Sequence, residues 1–403
     1  MAQPNYQAYL QTVYPGTSWT VTRLTGGIVN ATLRATKTSG DAGPESLVIK
    51  HAKPYVEIAG PEAIFSTKRQ LVEASILKLW DDGGKLFGSR KSGPEWDTPR
   101  LLRHEEGKEA SLGLSAADQE ASILLLSDLG ALVNIVQFLK VAAKDDGIAT
   151  ESQIAGLGRD VGDVMALVHS DATIQTIRAD ENTYNMLTDK LTTDLVRNVA
   201  VIPIRERIRH HPNADRLYQQ VFDEYTHPKH SYRHALSLGD FHPGSVLMRQ
   251  PTPGGDLTPV LLDWEFGTVN GRGVNGDIAQ FLASFHCELI AAKDDLSLHS
   301  TLLLFTKHFC GAYRERSRLA VKKDAHDSNA QLLRSALSLH GREMINLAND
   351  EYCEYSQFQE MVDSGIWYLE RVRDDAAEFV TGENWDELGN EDERLIQSLF
   401  QWP

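Results

Sequence analysis

The residues able to do chemistry concentrate in two short segments. Asp240 stands in Leu238-Gly-Asp-Phe-His-Pro-Gly-Ser-Val-Leu-Met248, and Asp263 and Glu265 stand in Val260-Leu-Leu-Asp-Trp-Glu-Phe-Gly267. Each carboxylate cluster follows an apolar run that reads as a short strand, so the acids fall at strand ends. Phosphoryl transfer from a nucleoside triphosphate needs carboxylates in separate roles. One orients the attacking hydroxyl and takes its proton, while other oxygen ligands hold magnesium on the phosphates. Asp240 suits the first task and Asp263 the second. On an extended backbone residues two apart point to the same side, so Glu265 would join Asp263 on the metal. The residue five after Asp240 is Ser245, whose hydroxyl is a shorter and weaker magnesium ligand than an asparagine oxygen.

A second group lies upstream. Lys50 closes the apolar run Leu47-Val-Ile, from where its ammonium could reach α- and β-phosphates. Within 65–80, Glu73, Ile76, Leu77 and Trp80 fall at i, i+3, i+4 and i+7, which puts a carboxylate on the apolar stripe of a helix. Either residue alone would read as a snorkelling lysine or a stripe-edge glutamate. As an ion pair, each explains the other. Gly26-Gly27, with Asn30 near the turn, would let backbone approach phosphates closely, although a Gly-Gly turn alone reads equally as a hairpin. His242 could contact a phosphate, orient Asp263 or stabilise its own loop.

The G-D-F-H-P-G-S and D-W-E pattern resembles the aminoglycoside phosphotransferase and choline kinase superfamily, which shares the protein-kinase-like fold. Within it the chain most resembles S-methyl-5-thioribose kinases, which also carry Ser at the Asn position and a D-x-E metal motif. Leu24-Thr-Gly-Gly-Ile-Val-Asn-Ala-Thr-Leu-Arg34 and Leu47-Val-Ile-Lys-His-Ala-Lys-Pro-Tyr-Val56 are similar to that family's phosphate loop and lysine strand. Fungal hydroxytryptamine kinases carry similar loops. The landmarks span about residues 20–285. The resemblance implies an α+β, bilobal fold with a small antiparallel-sheet N-terminal lobe and a larger α-helical C-terminal lobe. It implies ATP and Mg2+ as cofactors, and makes 123–130 the hinge whose backbone, at Ser127 and Leu129, binds adenine. It places His242 in the catalytic-loop signature, Asp277 in support of that loop, and the acceptor pocket on the helical lobe. Thioribose kinases are often dimers, so a homodimer is implied as well. Two departures stand out. Leu238 occupies the place where the family usually has His, which predicts a missing loop-supporting hydrogen bond. No Arg-Arg dipeptide occurs anywhere, although thioribose kinases use one near the sugar, so thioribose is not the expected acceptor.

These motifs need elements to position them. A composition shift near 127–134 divides the chain into an N-terminal nucleotide-binding lobe, 1–127, and a helical lobe, 128–403, that holds the catalytic loop (236–248) and the metal motif (260–267). The first should contain strands at 19–24, 31–36, 47–51 and 122–126. The second should be mainly helical, with stripes at Leu157, Val161, Val164, Met165 and Val168 and at Ile278, Phe281, Leu282, Phe285 and Leu289. A small sheet is expected from strands at 236–238, 245–248 and 260–262, the last two joined by Gln250-Pro-Thr-Pro-Gly-Gly-Asp. Asp277 begins a helical pattern and reads as its N-cap.

Composition excludes other classes. The 403 residues are 41% hydrophobic and 24% charged, with mean hydropathy −0.32, as in an ordinary soluble protein. Forty Lys and Arg against 56 Asp and Glu leave a net charge of −16, which repels nucleic acid and anionic membranes and favours a cationic acceptor. Three cysteines without CxxC spacing predict neither a disulfide framework nor a cysteine zinc site. With no leader pattern and no long apolar run, the expected location is cytoplasmic. Pro228 interrupts the spacing of His227, His230 and His234 as a metal face. Trp367, Trp385 and Trp402 read as packing residues that could alternatively line a cationic pocket.

The sequence therefore predicts an ATP-dependent phosphotransferase acting on a hydroxyl of a small molecule. The alternative is a pseudokinase that binds a nucleotide or partner without turnover, motivated by Leu238 and Ser245. A protein kinase is disfavoured, because no A-P-E segment follows D-W-E and the chain runs directly into Asn275-Gly-Asp277.

Overall fold

The computed structural model describes residues 4–24, 27, 29–107, 120–188, 197–226, 234–255, 257–319, 321, 328–349, 356–372 and 394–400. They form two compact units. The first comprises Met1–Phe87, Thr98–Gly130 and Trp264–Phe266; the second comprises Gly88–Asp97, Ala131–Asp263 and Gly267–Pro403.

The first unit is built on one antiparallel sheet. Its strands are β1 (Ser18–Arg23), β2 (Ala31–Ser39), β3 (Ser46–Ala52), β4 (Leu101–Glu106) and β5 (Ser122–Ser127), in the order β1-β2-β3-β5-β4. β5, Ser-Ile-Leu-Leu-Leu-Ser, is buried at its four apolar positions because it runs between β3 and β4. β4, Leu-Leu-Arg-His-Glu-Glu, has no strand signature in its sequence, and its pairing with β5 imposes the conformation. Side chains alternate across β3. Leu47 and Ile49 enter the core with Trp19, Leu33, Ile123 and with Tyr9 and Leu10 of helix α1 (Tyr6–Val13). His51 shares that face, where the Tyr6 hydroxyl bonds its Nδ1 at 2.9 Å. Lys50 consequently points to the opposite face. Helix α2 (Lys68–Trp80) packs against β4 and β5 and buries Arg69, Gln70 and Glu73 together with Ile76, Leu77 and Trp80. The helix expected over 65–80 thus forms from Lys68 onward.

The second unit is mainly helical around two small strand groups. β6 (Leu132–Asn134), β8 (Val246–Arg249) and β9 (Val260–Leu261) form one sheet in the order β6-β8-β9, and β7 (His234–Ser237) pairs with β10 (Thr268–Arg272). The 250–256 stretch joins β8 to β9 in antiparallel pairing, as its turn residues predict. The register of these strands positions the chemistry. Ser237 pairs with Thr268 and Val246 pairs with Leu261, so the segments leaving β7 and β9 run from one strand group to the other at adjacent ends. Leu262 N–H donates to Ser245 O at 3.2 Å between them.

The helices that bear on these segments are α3 (Ile135–Ala142), α4 (Glu151–Val168), α5 (Ala279–Ala291), α6 (Leu296–Ser317), α7 (Ser328–Ala348) and α8 (Phe358–Arg371). Both predicted apolar stripes, on α4 and α5, are buried. Thr150 and Gln153 form a capping box that starts α4. Gly158 and Gly162 let α4 approach α6 backbone to backbone: a Cβ at either would stand 2.4 Å from Phe305 O or 2.5 Å from Phe309 O. Cys287 and Cys310 are buried free thiols, and burial pushes the Cys310 thiol up to about 12; Cys353 lies outside the described residues. No described helix is long and apolar enough to cross a membrane.

Candidate active site

Within the first unit, the Lys50 ammonium donates to both oxygens of Glu73, at 2.8 Å to Oε2 and 3.1 Å to Oε1. Both residues are buried, so neither charge is stable there without the other. Gln70, one turn before Glu73, donates through Nε2 to Lys50 O at 2.9 Å. Helix α2 therefore fixes both the lysine backbone and its ammonium. Gly26 lies outside the described residues. At Gly27 a Cβ would come within 2.9 Å of Asn30 O, so the loop admits no larger residue without moving.

Asn30 and Glu265 take a geometry that spacing did not foresee. The 263–265 backbone is not extended. Asp263 adopts a left-handed φ of 65°, and Trp264–Phe266 is a 3-10 turn, so the rule that sets Glu265 beside Asp263 fails. Aspartate tolerates this region because its short polar side chain bonds locally. Glu265 is instead held inside the first unit. Its Oε2 accepts from Asn30 Nδ2 at 2.7 Å and lies 3.4 Å from Arg69 Nε. Asn30 Oδ1 in turn accepts from Arg69 Nη2 at 2.9 Å. Arg69 also donates to Phe65 O and Ser66 O and lies over the Phe65 ring, which stacks on Phe266. Burial pushes the Arg69 pKa down, and the charges of Glu265 and Glu73 oppose that shift. Asn30 thus turns inward to the glutamate, with both ends of its amide engaged.

The second unit builds the loop around Asp240. Asp277 accepts from the backbone N–H of Leu238 at 2.7 Å and of Gly239 at 3.0 Å. These donors are backbone groups, which a leucine at 238 supplies as any other residue would. Asp277 is also not an N-cap: it lies inside the π-helical segment Gly273–Ile278 and points its carboxylate at the loop. A histidine does support the site, from elsewhere in the chain. His169, which ends α4, bonds Asp277 Oδ2 through Nε2 at 3.2 Å and the Tyr313 hydroxyl of α6 through Nδ1 at 2.8 Å. A carboxylate only accepts, so Nε2 carries the proton and Nδ1 accepts from tyrosine. The close approach of α4 and α6 at Gly158 and Gly162 brings that pair together.

The remaining loop contacts are internal. Phe241 is fully buried and stacks on Phe281 of α5, with ring centroids 4.5 Å apart. His242 Nδ1 accepts from Gly244 N–H at 3.1 Å and caps the turn Pro243–Ser245. Ser245 is fully buried, and its hydroxyl donates to Asp240 O at 3.1 Å. Asp240 is half-buried, and its Oδ1 accepts from Gln280 Nε2 at 2.5 Å.

At the end of β5, Ser127 N–H donates to Arg100 O and its hydroxyl accepts from Arg100 N–H, while Leu129 is half-buried. Asp128 closes the turn by accepting from Gly130 N–H at 2.9 Å, and Arg34 grips both its oxygens. His227, His230, Trp385 and Trp402 lie outside the described residues; His234 is exposed, and Trp367 is covered by its own Arg371.

Sequence reasoning found Glu73 by its misplaced charge but passed over Arg69, one turn earlier on the same stripe, where the same signal stands. Gln280 and His169 carry no such signal.

The donor chemistry fits magnesium. Among the described residues no group of three or more His, Cys, Asp or Glu could hold a metal alone. Magnesium, however, usually takes one or two carboxylates and completes its shell with phosphates and water. Glu265 is buried, yet both its protein contacts fall on Oε2, leaving Oε1 as a hard oxygen without a described partner.

No family model matches the chain. In sequence it is similar to the 4-hydroxytryptamine kinase of Psilocybe cubensis, 22% identical over 294 residues that cover 70% of this chain and 71% of that protein. It is 23% identical to the 4-hydroxytryptamine kinase of Psilocybe cyanescens over 283 residues, 68% of this chain and 69% of that one. Among solved structures it is similar to the Cryptosporidium parvum choline kinase, at 9% identity and a TM-score of 0.45, covering 92% of this chain and 94% of that one. The resemblance to small-molecule kinases that the motifs carry is thus met in sequence over about two thirds of the chain. The α+β class rests on the chain's own elements: an antiparallel sheet with α2 between β3 and β4, and a second unit that is mainly helical.

Proposed function

We propose that this protein is an ATP-dependent kinase that moves the γ-phosphate of ATP to a hydroxyl of a small molecule. The observation that carries the reading is the buried, two-oxygen pairing of Lys50 with Glu73. Phosphoryl transfer is almost entirely positioning and electrostatics, and a lysine aimed by a helix glutamate is the recurrent device that holds the phosphates. The second unit supplies the acid-base group. Asp240 orients the acceptor hydroxyl and takes its proton as the new oxygen–phosphorus bond forms and the bond to the β,γ-bridging oxygen breaks, releasing ADP. Asp263 and Glu265 Oε1 are the carboxylate oxygens assigned to magnesium, which when bound neutralises charge developing on the phosphates. Ser245, the weaker magnesium ligand expected beside these acids, donates its hydroxyl to Asp240 O and with His242 braces the loop, and Gly26 and Gly27 are assigned to the phosphates. Ser127 and Leu129 are assigned to the adenine ring.

The acceptor class placed first is an amine-bearing alcohol or phenol, because both curated relatives are named for 4-hydroxytryptamine and a net charge of −16 favours a cation. The test has two stages. Calorimetry with a non-hydrolysable ATP analogue should show binding strengthened by magnesium in wild type and not in Asp263→Asn; absence of nucleotide binding with and without magnesium would favour a pseudokinase. Phosphate transfer from ATP to 4-hydroxytryptamine, choline and ethanolamine should then be lost in Asp240→Asn while nucleotide binding persists. Unchanged transfer in that variant removes Asp240 from its role.

A further inference from the structure

We infer that Gln280 is a positioning residue for Asp240, selecting which carboxylate oxygen meets the acceptor. The inference rests on the kinase reading above and extends it to a residue that no motif contains. Gln280 Nε2 lies 2.5 Å from Asp240 Oδ1. A carboxylate offers only lone pairs, so the amide must present its N–H and not its carbonyl.

The placement is part of a two-point clamp. Asp277 and Gln280 are three residues apart where the π-helical segment Gly273–Ile278 runs into α5. Asp277 holds the backbone of Leu238 and Gly239, and Gln280 holds the side chain of the next residue. Backbone and side chain of the loop are therefore fixed from one short stretch. Phe241, stacked on Phe281, pins the following residue to the same helix. Each of residues 238–241 is thus tied to the stretch 277–281.

The consequence is an asymmetric carboxylate. Oδ1 is occupied by the amide, which leaves Oδ2 as the oxygen that accepts from the substrate hydroxyl. A free aspartate side chain samples several rotamers, and its terminal torsion is broad. The glutamine removes that freedom before substrate arrives, which is how a fixed near-attack geometry contributes to rate. Gln280 touches neither the phosphates nor the proton in flight in this scheme.

The test compares Gln280→Leu and Gln280→Glu with wild type and Asp240→Asn, using ATP with 4-hydroxytryptamine, choline and ethanolamine as probe acceptors. Gln280→Leu should lower kcat by about ten- to a hundredfold, the scale of one lost hydrogen bond to a charged group. The calorimetric Kd for the ATP analogue and the melting temperature should stay at wild-type values. Gln280→Glu, which sets two carboxylates against each other, should fall further. Combining Gln280→Leu with Asp240→Asn should cost no more than Asp240→Asn alone. A kcat within twofold of wild type in Gln280→Leu overturns the inference while leaving Asp240 in place. Wild-type transfer that survives Asp240→Asn instead overturns the kinase reading itself. Where no probe acceptor turns over, crystal structures of wild type and Gln280→Leu decide the matter: a rotated Asp240 carboxylate in the variant supports the inference, and an unmoved one overturns it.

Discussion

Asn30 Nδ2 donates to Glu265 Oε2 at 2.7 Å, across 235 positions of the chain. The bond holds the last residue of the D-W-E motif inside the first unit, where Arg69 grips Asn30 and lies 3.4 Å from the same glutamate oxygen. Arg69 and Glu73 are one helical turn apart on α2. One helix therefore holds both the carboxylate that aims Lys50 and the cation that steadies Glu265.

Removing Arg69 should unsettle the fold before it touches chemistry. Arg69 and Glu265 are almost fully buried, so Arg69→Met leaves a buried carboxylate with Asn30 as its one partner among the described residues. The expected loss is about 3–5 kcal/mol, the scale for breaking a buried pair from one side. Urea denaturation of Arg69→Met and of Arg69→Met combined with Glu265→Gln checks it: the double variant should recover part of the loss. Equal stability of Arg69→Met and wild type would deny the ion pair any role.

The Lys50–Glu73 pair separates stability from function. Lys50→Met should abolish phosphate transfer and also destabilise, because Glu73 stays buried without its cation. Adding Glu73→Gln should restore much of the stability and none of the activity. Parallel melting curves and transfer assays read the two effects apart, and recovery of transfer in the double variant would refute the phosphate role of Lys50.

Loop support through His169 should be graded. Tyr313→Phe removes one hydrogen bond to His169 and should cost about 1 kcal/mol. His169→Leu leaves Asp277 its two backbone donors but removes the side-chain donor beside them, so kcat should fall while the Kd for an ATP analogue holds. A His169→Leu enzyme with wild-type kcat would make this histidine a packing residue only.

Acid should destabilise the helical unit through His340. Its Nδ1 donates to Ala279 O at 3.2 Å, and its Nε2 lies 3.2 Å from His286 Nδ1. Burial, reinforced by His286, holds its pKa well below the usual histidine value. Below about pH 6.5 the unfolded chain takes a proton that the folded chain refuses, so stability falls as pH falls, by up to about 1.4 kcal/mol per unit for this group. Above that pH both states are neutral and the contribution vanishes. Denaturation at pH 7.5 and 5.5 should show a smaller difference for His340→Gln than for wild type; parallel behaviour would mean that His340 titrates normally.

The sequence by itself determined the chemistry on offer. Asp240, Asp263 and Glu265 stand in local motifs whose meaning depends on residue type and spacing. Lys50 and Glu73 were legible because each contradicts its apolar surroundings unless the other is near. The stripes of α4 and α5 were legible for the same local reason, since a helix repeats its buried face whatever it packs against. Tertiary structure decided which of these groups are held and by what. Asn30 reads as a phosphate-loop residue until α2 docks and presents Arg69. Nothing local to Leu238 shows that Asp277 takes its backbone N–H, or that His169 arrives from 108 positions away to bond that carboxylate. Gln280 is an ordinary helix residue until α5 sets it 2.5 Å from Asp240. Such bonds join positions far apart in the chain, and local periodicity carries no information about them. The backbone of Asp263 departs from the extended form for a related reason. A chain that must leave β9 and turn into the Trp264–Phe266 segment takes the conformation that its two anchored ends require.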